Sequence, residues 1–210
     1  MPITSQLLPE LIAAIAATLE EHEEEVTALD VAIGDGDHFI NLQRGVAALE
    51  SQGTELAGLD WKASFQQIGM TVMSKVGGAS GSLYGTLFIS VAKSLGDAAP
   101  DTPAFAAAFA AGVEAMKARG KSDTGEKTML DVLVPVARCL RQGAGLPLHP
   151  LLDRLVAEAE AGAESTRDML ASKGRASFLG ERAKGHVDAG ARTSQLMITA
   201  IAGVLRAKAG

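Results

Sequence analysis

The segment Leu29-Asp-Val-Ala-Ile-Gly-Asp-Gly-Asp-His38 places three aspartates within eight residues, directly before a helical pattern of apolar side chains. Carboxylates held this close together repel one another, so a cation usually compensates them. Ligand sets made only of oxygen suit hard ions such as Mg²⁺ or Ca²⁺. We therefore predict that Asp30, Asp35 and Asp37 form a metal site.

A simpler interpretation of the same segment is a polar turn in which Asp37 caps the following helix, since aspartate is a common N-cap residue. Gly34 and Gly36 allow the tight backbone that either arrangement needs. An EF-hand is a poor match, because its ligand order and the glutamate at loop position 12 are missing.

Helical periodicity dominates the rest of the chain, and alternation typical of strands is hard to find. We predict an all-α domain over residues 1–210 with eight helices in an antiparallel up-and-down array. The helices cover residues 5–26, the segment after the aspartates, segments that start near residues 61 and 78, and residues 103–117, 129–140, 149–170 and 189–208. In such an array, the loops before the second, fourth, sixth and eighth helices lie at one end. Those four loops are the most unusual in composition, which predicts one shared site.

Composition excludes several classes of protein. The chain has 210 residues and a net charge of −6, so a nucleic-acid partner is not expected. Its 47% hydrophobic and 4% aromatic residues indicate a core of small aliphatic groups. The single cysteine, Cys139, predicts a buried free thiol in a cytoplasmic protein. No signal peptide is evident, and the apolar segment 104–113 is too short to span a membrane.

The loop Lys75-Val-Gly-Gly-Ala-Ser-Gly-Ser82 contains the glycines and serine of an anion site at a helix start. It is not a Walker A loop, because the terminal Lys-Ser/Thr pair is missing. Tight helix packing explains such glycines equally well.

The two remaining loops are polar. Residues 120–128 form either a ligand-covering loop or an exposed turn, with Thr128 as a predicted N-cap. Residues 173–190 exceed the usual length of a helix–helix connection. Arg175 could reach phosphate oxygens, and Asp188 is a predicted N-cap. His186 could be an acid, a ligand or, as we favour, a loop anchor. Together, the four loops predict a site for Mg²⁺ and a polyphosphate.

The segments 30–38, 77–86, 125–135 and 174–182 resemble, in order, the motifs of the ADP-binding L subunit of dihydroxyacetone kinase, of the type that depends on the phosphotransferase system. The resemblance covers nearly the whole chain. It implies an eight-helix barrel with two Mg²⁺ ions held by the three aspartates and with ADP or ATP as a bound coenzyme. The implied nucleotide-binding residues are His38, Phe39, Ile40, Asn41, Gly78, Ala79, Ser80, Gly120, Met129, Arg175, Asp188, Ala189 and Gly190.

The resemblance also implies the reaction. A phosphohistidine on an M subunit would rephosphorylate the bound ADP, and the γ-phosphate would pass to dihydroxyacetone on a K subunit. No side chain of this chain is expected to act as a nucleophile. The family usually has proline where Ala189 stands, so the turn before the last helix is expected to be looser.

Two alternatives stay open at this stage. The chain could serve a kinase that uses free ATP on dihydroxyacetone or another small sugar. It could instead be a non-catalytic, nucleotide-sensing regulator that binds a transcription factor. A homodimer is also possible, whereas a nucleic-acid or membrane partner is not expected.

Overall fold

The computed structural model describes residues 4–209, and within them the chain is helical with no β-strand. These described residues contain ten α-helices. They are α1 (Leu8–Glu21), α2 (Glu23–Ile33), α3 (His38–Ser51), α4 (Gly53–Ala57), α5 (Trp61–Lys75), α6 (Gly78–Ser94), α7 (Thr102–Gly120), α8 (Leu130–Gln142), α9 (Leu148–Ser165) and α10 (Ala189–Ala209). Short 3₁₀ helices cover Ser5–Leu7, Arg175–Phe178 and Gly180–Ala183.

Eight of these helices form a closed ring. In this ring, α1 packs on α3, and α3 packs on α5. From α5 to α9, each helix packs on the one that follows it in the chain, and α10 closes the ring by packing on α1. The remaining two, α2 and α4, are additions to the ring. The prediction of an all-α, eight-helix antiparallel barrel is therefore confirmed.

The predicted first helix, residues 5–26, is wrong in its extent because it breaks at His22. The ring nitrogen Nδ1 of His22 lies 2.9 Å from the carbonyl oxygen of Thr18 and closes the end of α1. The break moves a run of glutamates, Glu23 to Glu25, from an unfavourable helix C-terminus to the N-terminus of α2. A new helix then continues to Ile33, so Asp30 lies in its last turn rather than in a loop.

The helix predicted over residues 149–170 is also shorter than expected, since α9 ends at Ser165. The hydroxyl of Thr166, which is fully buried, donates to the carbonyl oxygen of Ala163 at 2.7 Å. This bond satisfies one of the free carbonyls at the helix end. The chain then leaves the barrel wall and forms a long loop, residues 166–188.

Small aliphatic side chains fill the ring interior, together with a row of stacked aromatic rings on neighbouring helices. Cys139 on α8 is buried and free, as predicted. None of the helices described over residues 4–209 combines the length and apolarity needed to cross a membrane.

Candidate nucleotide and metal site

One end of the barrel opens into a cavity of about 390 Å³. The loops that precede α3, α8 and α10 contribute to its wall, together with the first turns of α6 at the end of the predicted glycine-rich loop. The shared end predicted from loop parity is therefore confirmed. Ten of the residues predicted to bind the metal or nucleotide line the cavity: Asp30, His38, Ala79, Ser80, Gly120, Met129, Arg175, Asp188, Ala189 and Gly190.

Four predicted nucleotide-binding residues lie outside that wall. Phe39 is buried in the core beside α10, while Ile40 is 55% exposed on the outer surface. Successive residues of a helix point about 100° apart, so at the start of α3 only His38 faces the cavity. Asn41 is buried against Gly77, and Gly78 is exposed at the start of α6 without lining the cavity.

The three aspartates converge as predicted. Asp30, Asp35 and Asp37 each offer a carboxylate oxygen, and these atoms all lie within 4.8 Å of one another. The backbone between them needs glycine twice. A side chain at Gly34 would collide with the Asp30 carboxylate, and Gly36 has a left-handed φ of 77°. The cluster is a set of hard oxygen donors of the kind that Mg²⁺ and Ca²⁺ prefer.

The capping interpretation of Asp37 fails, because its side chain accepts no hydrogen bond from the first turn of α3. That role belongs to Asp30, whose Oδ2 accepts from the N–H of His38 at 3.0 Å. Asp35 pairs with Arg175 instead, at 2.9 Å between Oδ2 and Nε. The guanidinium thus compensates part of the charge of the cluster, and the Asp37 carboxylate stays available to a cation.

The inner wall of the cavity, lined by His38 and Gly190, is backed by a buried chain of hydrogen bonds centred on the carbonyl oxygen of Gly190. Ser194 donates to it at 2.6 Å and Thr193 at 3.2 Å. Since the Ser194 proton is used there, the Tyr84 hydroxyl, 2.6 Å from Ser194 Oγ, is the donor to Ser194. This chain connects α6 to the first turn of α10.

The ring of His38 joins the same network. Its Nε2 lies 2.9 Å from Thr193 Oγ1, whose proton is directed at Gly190, so Nε2 carries the ring proton. Its Nδ1 then faces the hydroxyl of Ser80 at 3.4 Å. Burial lowers the pKa of His38, against the opposing effect of the nearby Asp30 and Asp37 carboxylates. The neutral ring therefore holds α3 to both α6 and α10.

Asp188 caps α10, as predicted, by accepting from the N–H of Ala191 at 2.8 Å. Burial raises the pKa of this carboxyl to about 6, although the Ala191 bond and the ammonium of Lys127 act in the opposite direction. Asp188 and Ala189 place the start of α10 at the cavity. Ala189 is the first residue of the helix.

The loop before α8 is ordered by a reciprocal cap. The Thr128 hydroxyl accepts from Leu130 N–H at 3.1 Å, and the Asp131 carboxylate accepts from Thr128 N–H at 2.8 Å. Asp131 also accepts from Gly125 N–H. The Thr128 hydroxyl therefore caps the first turn of α8, although Met129 stands at the N-cap position before Leu130. The loop is partly exposed, but it also lines the cavity and so is more than an exposed turn.

The long loop reaches back to the loop before α8. Glu126 accepts from the hydroxyls of Ser122 and Ser172, at 2.5 and 2.8 Å, and lies 3.8 Å from the ammonium of Lys173. His186 contributes through its backbone, because its carbonyl oxygen accepts from Lys127 Nζ at 2.6 Å while the residue is exposed. The anchor interpretation of His186 fits this contact better than a role as acid or ligand.

Several lining residues were absent from the sequence-based set, including Ser82, Leu83, Arg119, Lys127 and Lys173. Arg119 donates through Nε to Ser82 Oγ at 3.0 Å, which links the end of α7 to α6. Lys173 lies in a predicted loop and Arg119 directly precedes another, so both could have been included on that basis. Lys127 also lies in a predicted loop, but a lysine in a polar loop is normally exposed, so its burial could not be predicted.

Comparison with known proteins decides the family. The sequence profile described as the DAK2 domain matches residues 32–203. The chain belongs to the DAK2-domain family. A protein of Listeria innocua named PEP-dependent dihydroxyacetone kinase 1, ADP-binding subunit DhaL, is 44% identical over 87% of this chain and 88% of its own length. The PEP-dependent dihydroxyacetone kinase subunit of the same name from Escherichia coli is 40% identical over 85% of this chain and 87% of its own length.

A solved structure supports the same family. The crystal structure of the dihydroxyacetone kinase from C. freundii in complex with AMP-PNP and Mg²⁺ matches with a TM-score of 0.76 and 27% identity. The match covers 97% of this chain but only 34% of that enzyme, so this DAK2 chain corresponds to about a third of it.

Proposed function

We propose that this chain is the ADP-binding subunit of a dihydroxyacetone kinase, in which residues 1–210 form one nucleotide-binding domain that works in the cytoplasm. The observation that carries the proposal is the convergence of Asp30, Asp35 and Asp37 within 4.8 Å at the mouth of a cavity bordered by a glycine-rich helix start. Relatives named as ADP-binding subunits of PEP-dependent dihydroxyacetone kinases match along most of their length.

The three aspartates fit Mg²⁺, because they present only hard oxygen atoms and lie close enough to share an ion. When bound, Mg²⁺ would neutralise charge on the nucleotide phosphates. Residues of this chain would make the remaining contacts to the nucleotide. The N-terminus of α6 would offer backbone N–H groups to phosphate oxygens. Arg175 and Lys173 would supply positive charge from the long loop, while Met129 and Leu83 would contact the apolar parts of the nucleotide.

The chain itself offers positioning rather than covalent chemistry. His38 is committed to hydrogen bonds with Thr193 and Ser80, and we assign no residue of the site a covalent role. The phosphoryl donor and acceptor therefore belong to partner proteins in this proposal. One is a phosphohistidine-carrying M subunit, and the other is a K subunit that holds dihydroxyacetone.

Phosphoryl transfer between purified proteins tests this function. The chain is incubated with Mg-ADP, an M-type phosphocarrier phosphorylated on histidine, and a K-type subunit with dihydroxyacetone. We expect dihydroxyacetone phosphate to form with only catalytic amounts of ADP. If product requires ATP in stoichiometric amounts and the phosphocarrier has no effect, the PEP-dependent assignment is wrong.

A kinase that uses free ATP is the second candidate, and the matched C. freundii structure with AMP-PNP favours it. The two candidates differ in how long nucleotide stays bound. A coenzyme must remain through many turnovers, whereas a product must leave in each one. Release of labelled ADP into excess unlabelled ADP distinguishes them, with loss within a second favouring free ATP.

The turn before α10 offers a variant for that experiment. Ala189 occupies the first helical position, where proline is well tolerated because its N–H is not needed. We expect Ala189→Pro to slow ADP release by tightening this turn. An unchanged rate would show that the alanine does not affect nucleotide retention.

A further inference from the structure

One buried lysine holds together the two ends of the long loop. Lys127 is only 1% exposed, and its Nζ donates to the carbonyl oxygens of Thr166 at 2.5 Å, Arg167 at 3.2 Å and His186 at 2.6 Å. An ammonium group has three donors, so all of them are used. The acceptors stand about twenty positions apart in the chain, at opposite ends of residues 168–184.

Further hydrogen bonds close the same neck. Gly185 N–H donates to the carbonyl oxygen of Arg167 at 2.9 Å, and Asp188 N–H donates to Thr166 Oγ1 at 3.0 Å. Residues 168–184 therefore form a compact loop whose ends meet, of the Ω type. Lys127 reaches this neck from a different loop and completes it.

The arrangement is energetically demanding. Lys127 has a left-handed φ of 60°, which is unusual for a residue other than glycine. Burial lowers the pKa of its ammonium group, with the Asp188 carboxylate as the main opposing influence. Among the described residues, no carboxylate lies within ion-pair distance of Nζ, and carbonyl oxygens alone solvate the charge. A buried charge without a direct counter-ion is costly, so the contacts it makes must compensate.

The loop closed by this neck carries several residues of the cavity wall. Lys173 and Arg175 line the cavity from within the loop, and Asp188 and Ala189 line it directly after the neck. Outside the neck, Arg175 is held by one exposed ion pair with Asp35. Exposed pairs contribute little, so the position of the loop depends mainly on its neck, on the contacts of Ser172 and Lys173 with Glu126, and on a small apolar contact beneath it.

We propose that Lys127 is a positioning residue that clamps the neck of this loop and thereby limits how fast nucleotide leaves the cavity. The inference rests on the proposed function in taking Mg-ADP as the ligand. A lysine with a purely structural role would stabilise the whole fold, whereas this one would act on the loop and on nucleotide release in particular.

The test compares Lys127→Met with the wild type in two measurements. Methionine keeps the length of the side chain but removes all three donors. Trypsin has four sites within the loop: Lys173, Arg175, Arg182 and Lys184. We expect cleavage there, and release of labelled Mg-ADP, each to become about tenfold faster or more, because three neck carbonyls lose their donor and the loop opens locally.

Leu155→Ala is the matched control. Leu155 is buried in the core on α9, away from the neck, and its truncation destabilises the whole fold. We expect it to speed cleavage at all sites together without a selective effect on the loop. The proposal is overturned if Lys127→Met behaves like this control, or if it releases ADP at the wild-type rate.

Thr166→Val serves if Lys127→Met does not fold. It removes the oxygen that accepts from Asp188 N–H while keeping the shape of the side chain, so faster loop cleavage and faster ADP release are expected here too. Wild-type rates in both measurements would overturn the clamp. If the wild-type protein binds no ADP, the proposed function fails, and the cleavage comparison still decides whether Lys127 holds the neck.

Discussion

The inner and outer walls of the cavity are built in opposite ways. The inner wall, in which His38 and Gly190 are backed by Tyr84, Thr193 and Ser194, is held by neutral hydrogen bonds between buried or half-buried groups. The outer wall, formed by Asp30 and the tip of the long loop with Asp35 and Asp37 beside them, consists mainly of exposed charges. Its main bond, Arg175 to Asp35, joins side chains that are 70% and 41% exposed.

Because of this difference, we expect the inner wall to stabilise the fold and the outer wall to bind ligand. Buried neutral hydrogen bonds are expensive to break, because the remaining partner is left unsatisfied away from water. Exposed ion pairs contribute little to the free energy of unfolding, but their charges are available to a ligand. The inner wall should therefore hold the barrel end together with or without ligand, while the outer wall should depend on metal and nucleotide.

Ligand should produce the largest change in stability. At about 100 times its dissociation constant, Mg-ADP should raise the free energy of unfolding by roughly 2.7 kcal/mol. Thermal unfolding with and without Mg-ADP measures this gain, and EDTA should remove most of it because the outer wall needs the metal. A melting temperature that responds to neither addition would show that the outer wall is not a ligand site.

A pair of serine substitutions compares the two walls directly. Ser194→Ala removes a buried hydroxyl that serves both Tyr84 and Gly190, and should lower the free energy of unfolding by about 2 kcal/mol. Ser177→Ala removes an exposed hydroxyl that donates to Gly174 in the long loop, and should cost less than about 0.5 kcal/mol. Chemical denaturation gives both values. Equal costs would abolish the distinction between the walls.

The pH dependence of the inner wall can be followed through Tyr84, the single tyrosine of the chain. Burial raises the pKa of its hydroxyl, with the Ser194 bond as the main opposing effect. A raised pKa means that this contribution to stability is complete below the unfolded value of about 10 and is lost as the pH rises beyond it. Ultraviolet titration should therefore show tyrosinate only when circular dichroism shows unfolding. Ionisation in the folded protein near pH 10 would contradict a closed inner wall.

The smallest change in the free energy of unfolding is expected when a charge of the outer wall is removed from the ligand-free protein. Arg175→Gln removes the ion pair with Asp35, and should change the free energy of unfolding of the ligand-free protein by less than about 0.5 kcal/mol. The same substitution should weaken Mg-ADP binding clearly, because a cavity cation is lost. A large loss of stability without ligand would mean that Arg175 is part of the permanent structure.

The sequence predicted the barrel and its functional end because both follow from patterns along the chain. Apolar periodicity located the eight ring helices, and loop parity brought four loops together. The aspartate cluster was visible since its members are close in sequence. The break at His22 was not predicted, because the acidic run there fits a solvated helix face as well as the start of a new helix.

Contacts between distant segments could not be predicted in the same way. His38 meets Thr193, and Lys127 meets Thr166 and His186, only after the ring closes. No local pattern distinguishes this lysine from an exposed one. Phe39 and Ile40 stay predictions, although only His38 of this motif lines the cavity.

The most direct test of the central claim measures ADP binding to Asp35→Ala by calorimetry, with and without Mg²⁺. Asp35 is the suitable member of the cluster, because Asp30 also caps α3 through His38. We predict that affinity in the presence of Mg²⁺ falls about 100-fold, whereas affinity without Mg²⁺ changes little and helicity is unchanged. Asp123→Ala, which removes an exposed carboxylate paired with Lys117, should leave binding intact. Wild-type affinity of Asp35→Ala for Mg-ADP would contradict the assignment of this cluster as the metal site.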